Sequence, residues 1–93
     1  MKEVFIDFSS LGDMEEFYEE LAKRLDLPEF FGNNLDALSD FISGFASLPL
    51  HVEFVNLSVE QLEVFEDLIN TLEELEDSLE EFTFSYYLEQ YEE

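Results

Sequence analysis

The chain has no cysteine, one histidine and three basic side chains among 93 residues. Without cysteine there is no disulfide framework, no thiol nucleophile and no thiolate metal site. Such a composition fits a reducing cytoplasm, where the protein is expected to act. His51, the lone histidine, has no serine or cysteine beside it in sequence and reads as a structural or exposed strand residue. Lys2, Lys23 and Arg24 are the only cations, and residues 25–93 have no lysine or arginine. Phosphoryl chemistry needs basic groups or a glycine-rich loop, and neither is present. No D-x-D-x-D-G spacing marks a calcium loop, so no cofactor and no metal are expected. No apolar run approaches the ~20 residues that span a bilayer. The opening MKEVFIDFSS lacks the apolar core of a signal peptide.

Acid and apolar side chains are abundant. Twenty-five aspartates and glutamates give a formal net charge of −22, yet 46% of the residues are hydrophobic and eleven are phenylalanine. That much apolar content argues for a packed core rather than an acidic disordered tail. The length suits one domain, 1–93. A surface this acidic repels itself, nucleic acid and anionic membrane, and attracts basic proteins. Self-repulsion also favours a monomer when free.

Patterning gives the order β-α-α-β-α-β. Val4 to Phe8 is a β-favouring apolar run. Asp13 can cap the next helix with Glu16 at capping-box distance, and Met14, Phe17, Tyr18, Leu21 and Leu25 mark its buried face. Glu19 and Glu20 have Lys23 and Arg24 four residues on. Leu50 to Asn56 alternates as a second strand. Ser58 with Gln61 is a capping box that opens a third helix, whose face runs through Leu62, Phe65, Ile69, Leu72 and on to Leu75, with a break or restart at Asp77-Ser78. Phe82 to Leu88 alternates as a third strand, Phe82, Phe84, Tyr86 and Leu88 sharing one side. Glu89 to Glu93 reads as a frayed acidic tail. Helical crossovers favour parallel pairing with right-handed connections. The fold class is therefore α/β: a three-stranded parallel sheet packed against three to four helices, with one face of the sheet poorly covered.

Between the first two helical patterns lies Leu27 to Gly44, LPEFFGNNLDALSDFISG. Pro28 stops the preceding helix, Gly32 permits a tight turn, and Asn34 suits the N-cap of the next helix. Leu35, Leu38, Phe41, Ile42 and Phe45 form the face to bury. Asp36 and Asp40 stand four residues apart on another side, with Ser39 and Ser43 beside them. Like charges at that spacing cost a helix ~0.2–0.5 kcal/mol. A solvated polar face is the ordinary reading of this side; a paired-carboxylate surface for a cation is the other. Phe30 and Phe31 either make partner contacts or close the core.

This stretch resembles the barstar family, inhibitors of the ribonuclease barnase. The likeness runs through Leu-Pro-Glu, two aromatics, Gly32, Asn34, Leu-Asp-Ala-Leu, Asp40 and Gly44, and the LPLHVEF run is similar to the family's second strand. The resemblance implies a barstar-like fold and a loop and helix that plug a nuclease active site. It places Phe30 and Phe31 at the aromatic loop positions and Asn34 at the cap. Asp36 becomes an acidic contact, and Asp40 the central one, where substrate phosphate would lie. Glu73 or Glu74 is the counterpart of a further acidic contact on the last helix. The family has tyrosines where Phe30 and Phe31 stand and a tryptophan where Ser39 stands, so two hydroxyls and a large contact are missing. The expected function is thus an intracellular inhibitor, or immunity protein, of a basic ribonuclease or ribonuclease toxin, bound one-to-one, and not an enzyme. The alternative is an acidic nucleic-acid mimic or adaptor that occupies a non-nuclease basic protein.

Overall fold

The computed structural model describes residues 2–25, 27, 31–44, 46 and 48–89. Pro28, Phe30, Phe45 and the last four residues of the expected tail lie outside the described residues. Strand β1 (Lys2–Asp7) runs into a short 3-10 turn at Phe8–Ser10, followed by helices α1 (Met14–Arg24) and α2 (Leu35–Gly44). Strand β2 (Leu50–Leu57), helices α3 (Val59–Val64) and α4 (Glu66–Ser78), and strand β3 (Phe82–Leu88) complete the order. The sheet is β1-β2-β3, parallel throughout, in the register Val4–Val52–Phe84. This is the α/β fold, a three-stranded parallel sheet packed against helices, that the periodicities imply.

The period-two pattern decides which side of the sheet is covered. Val4, Ile6, Leu50, Val52, Phe54, Phe82 and Phe84 are buried. Their alternates, including Phe5 and Tyr87, stay partly or fully open. Parallel sheets are usually covered on both faces, and among the described residues this one is covered on one. Phe54 is the hub of the core: its ring centroid lies 4.6 Å from Phe8, 5.7 Å from Phe17 and 4.9 Å from Phe84. These are tilted and edge-on arrangements, the favoured ones for aromatic pairs. Covering fades along β3, where Tyr86 and Leu88 share the side of Phe82 and Phe84 but are exposed.

Local chemistry sets most helix ends. Asp13 accepts from the Glu16 backbone N–H at 2.9 Å, capping α1. Glu16 reaches back one residue further than a capping box, accepting from Gly12 N–H at 2.9 Å. Glu20 draws both Arg24 (3.1 Å) and Lys23 (3.9 Å), so the pairing expected of Glu19 goes to its neighbour. The Ser58–Gln61 capping box is complete in both directions.

The single long helix expected after Ser58 is two. The chain leaves helical geometry at Phe65, with φ −103° and ψ 18°. Phe65 is fully buried and meets Phe8 edge-on at 5.0 Å. Hydrogen bonds from Phe65 N–H to Gln61 and from Ile69 N–H to Phe65 continue on either side. The apolar spacing therefore reads straight through a bend of one residue. The second piece ends at Ser78, where the sequence placed a break.

Candidate partner-binding surface

Helix α2 starts on a turn built by two asparagines. Asn33 holds φ 50°, the left-handed region that asparagine tolerates better than most side chains. No described glycine has positive φ, so the turn expected of Gly32 belongs to Asn33. Gly32 supplies space instead: a Cβ there would sit 3.0 Å from Asn34 Nδ2. That nitrogen donates to the Gly32 carbonyl at 3.2 Å, and Asn34 Oδ1 accepts from Ala37 N–H at 2.7 Å. Asn34 is thus the expected N-cap, and both ends of its amide are used.

Burying Leu38, Phe41 and Ile42 fixes what the rest of α2 shows to solvent. At 100° per residue, Asp36, Asp40 and Ser43 fall on the opposite side of the helix. All three are exposed, and Ser39 is half-buried on the flank. Among the described residues, no hydrogen bond or ion pair holds either carboxylate. Ser43 spends its hydroxyl on its own helix, donating to the Ser39 carbonyl at 2.8 Å. Phe31 packs edge-on to Tyr18 (5.8 Å) and Phe41 (6.2 Å), half-buried against the core. Its position suits closing the core at least as well as meeting a partner.

Helix α4 packs against α2. Glu73 and Glu74 are both exposed, but on different flanks. Asp67 lines a groove with Asn34 and Leu35, and Glu74 lies two turns beyond it on the same flank. Glu76 lies toward β3, accepting from the Phe84 backbone N–H at 3.0 Å. Glu73 is on the side nearer Glu76 and away from α2.

The remaining polar cluster is on the open sheet face. His51 Nδ1 meets Thr83 Oγ1 at 2.8 Å, and Nε2 lies 3.3 Å from Glu53 Oε1 and 3.4 Å from Ser85 Oγ. A hydrolytic triad needs serine and acid on opposite ring nitrogens; here they share one. Two other groups are perturbed. Hydrogen bonds from the Ser9 backbone and side chain and from Asn56 hold the Asp7 carboxyl below its usual pKa. Burial pushes the Tyr18 hydroxyl up to about 12. Tyr18 is 4% exposed, and its hydroxyl has no hydrogen-bond partner among the described residues. The sequence reads Tyr18 only as a core position, because an unmet hydroxyl depends on packing that no spacing encodes.

The family model for barstar, the barnase inhibitor, matches residues 1–90. The chain belongs to the barstar family. That family is one of inhibitors, not enzymes. A curated relative from Bacillus subtilis (strain 168), "Putative ribonuclease inhibitor YrdF", is 27% identical over 84 residues, covering 87% of this chain and 92% of that protein. Among the described residues, no helix is long and apolar enough to cross a membrane, and no cluster of acidic and imidazole groups is arranged to hold a metal.

Proposed function

We propose that this protein inhibits a basic ribonuclease by seating the outward face of α2 in the enzyme's cationic cleft. The carrying observation is the pair Asp36 and Asp40, exposed and without a partner among the described residues, on one helix face of a barstar-family chain of net charge −22. A ribonuclease cleft is cationic because it holds phosphates, and carboxylates can stand where those phosphates would lie. Asp40 is the central contact and Asp36 the second. Asn34 presents the turn, Ser39 and Ser43 border the carboxylates, and Phe30 and Phe31 contribute apolar contact from the loop. Of the two glutamates, Glu74 is the one on the flank that α2 shares, so it is assigned the further acidic contact in place of Glu73.

Complementary charge speeds encounter, up to ~10⁸–10⁹ M⁻¹s⁻¹ at low salt, a range set partly by barnase and barstar themselves. Rapid capture suits an immunity protein acting inside the cell that makes the nuclease. The test is cleavage of RNA by barnase, and by any nuclease pulled down from the native cell, at about physiological salt. Loss of cleavage at one inhibitor per enzyme is expected. Inhibition only at large excess, fading with salt, would be that of a plain polyanion. Displacement of nucleic acid from a non-enzymatic basic protein, with every nuclease left active, would instead favour the mimic reading.

A further inference from the structure

The two outer strands of the sheet are not protected alike. Strand β1 has Lys2, Glu3 and Asp7 along its length, and such charges keep an edge from pairing with another chain. Strand β3, FTFSYYL, has no charged residue. Its register settles which backbone groups face outward. Leu50 N–H donates to the Glu81 carbonyl at 2.8 Å and Glu89 N–H to the Leu57 carbonyl at 2.9 Å, so the odd-numbered residues of β3 turn their backbone to β2. The N–H groups of Phe82, Phe84, Tyr86 and Leu88 therefore lie on the outer edge.

The chain closes the first half of that edge itself. Phe82 N–H donates to the Leu79 carbonyl at 3.4 Å, and Phe84 N–H donates to the Glu76 carboxylate at 3.0 Å. No acceptor meets the outward N–H of Tyr86 or Leu88 among the described residues. The side chains of Tyr86, Tyr87 and Leu88 are exposed. This open half presents backbone donors and acceptors to an added strand. Charge decides which kind of strand. Glu76, Glu80 and Glu81 flank the closed half, Glu60 shares a hollow with Leu88, and no lysine or arginine follows residue 24. A second copy would bring its own net charge of −22 against these acids, whereas a basic segment is drawn to them.

We propose that the outer edge of β3 at Tyr86 and Leu88 takes an extended basic segment of a protein partner as a fourth strand. Backbone hydrogen bonds to Tyr86 and Leu88 hold it, and its lysines or arginines meet the surrounding glutamates. Glu76 sets where the added strand stops, because its carboxylate already fills the place of an incoming carbonyl at Phe84. The edge lies on the β3 side of α4, to which Glu76 turns, and not on the flank that α4 shares with α2. It is a second surface, and it does not rest on the ribonuclease reading.

The experiment titrates the full chain with a basic strand peptide, acetyl-KVTVK-amide, and follows the Tyr86 and Leu88 amides by NMR. The proline peptide acetyl-KVPVK-amide and the acidic peptide acetyl-EVTVE-amide are the controls. Saturable shifts at both amides are expected from the first peptide and from neither control. At ten times its Kd, hydrogen exchange at Tyr86 and Leu88 should slow roughly tenfold, because only the unbound fraction exchanges. Leu88→Pro removes an outward donor and leaves the β2 pairing alone, as proline does on an edge. It should weaken binding several-fold with a melting temperature near wild type. The three peptides decide the matter even if that variant fails to fold. No saturable shift at these amides, or equal binding of the proline peptide, overturns the proposal. So do shifts scattered over the acidic surface that vanish at physiological salt, which mark plain charge attraction. Protection at Tyr86 and Leu88 that grows with protein concentration, without peptide, gives the edge to a second copy instead.

Discussion

Gln61 ties the start of α3 to the connection after β1. Its Nε2 donates to the carbonyls of Phe8 at 2.7 Å and Leu11 at 2.8 Å, while its Oε1 accepts from Ser58 N–H at 2.9 Å. One amide therefore completes a cap and satisfies two carbonyls fifty residues away. Gln61→Leu is expected to lose about 2–3 kcal/mol, the sum of a cap and the Leu11 carbonyl left unmet, since the Phe8 carbonyl keeps the Leu11 N–H at 3.2 Å. Ser58→Ala breaks only the cap and should lose about 1 kcal/mol. Urea denaturation of the two variants checks the difference.

Tyr18 should make stability sensitive to alkali. Its folded pKa is raised to about 12 from 10.0, so the folded state holds this proton longer than the unfolded one. The contribution is full below pH 10 and is lost as pH rises from there through about 12. Tyr18→Phe should remove the latest step in the tyrosinate absorbance titration and flatten this part of the stability curve.

Asp7 should act in the opposite direction. Its carboxylate accepts from Ser9 N–H at 2.9 Å and Asn56 Nδ2 at 3.1 Å, and its pKa is lowered. Its contribution is present above the ordinary aspartate value and disappears as pH falls through the depressed one. The stability gap between wild type and Asp7→Asn should therefore close as the buffer is taken below pH 4. A gap that stays constant would mean that the charge is irrelevant to the Asp7–Asn56 link.

Net charge supplies a further test. With 25 acids against three bases, repulsion between like charges acts over about 30 Å at 10 mM salt and about 8 Å at physiological salt. The melting temperature should climb between those conditions and level off above them. A protein with balanced charge would show little change.

How far the residues announce this structure depends on whether a feature is local. Asn34, Asp13 and Ser58 cap helices where their side-chain chemistry places them, and Val52–Phe54 alternate as an inner strand should. The bend at Phe65 escapes notice because displacing one residue leaves 62, 65, 69 and 72 in step, and the contact of the buried Phe65 ring with Phe8 is made only in the folded chain. Asn33 is overlooked for Gly32 because glycine is the usual occupant of left-handed backbone, although an Asn-Asn pair before a helix is itself a signal. The faces of Glu73 and Glu74 cannot be told apart until α4 is set against α2 and β3. Phe31 reads equally as core or contact from its type alone, and the ring of Tyr18 decides how it packs.

The central claim is that α2's outward carboxylates carry the binding. The most direct measurement is the dissociation rate of the ribonuclease complex for Asp40→Ala, beside Glu60→Gln on α3 as a control. Asp40→Ala should weaken the complex by at least about 2 kcal/mol through faster dissociation, the lower end for truncating one partner of a buried charge pair, a figure drawn in part from barnase–barstar. Glu60→Gln should change only the association rate and its salt dependence. Equal, small effects from both would contradict the account and move the binding surface away from α2.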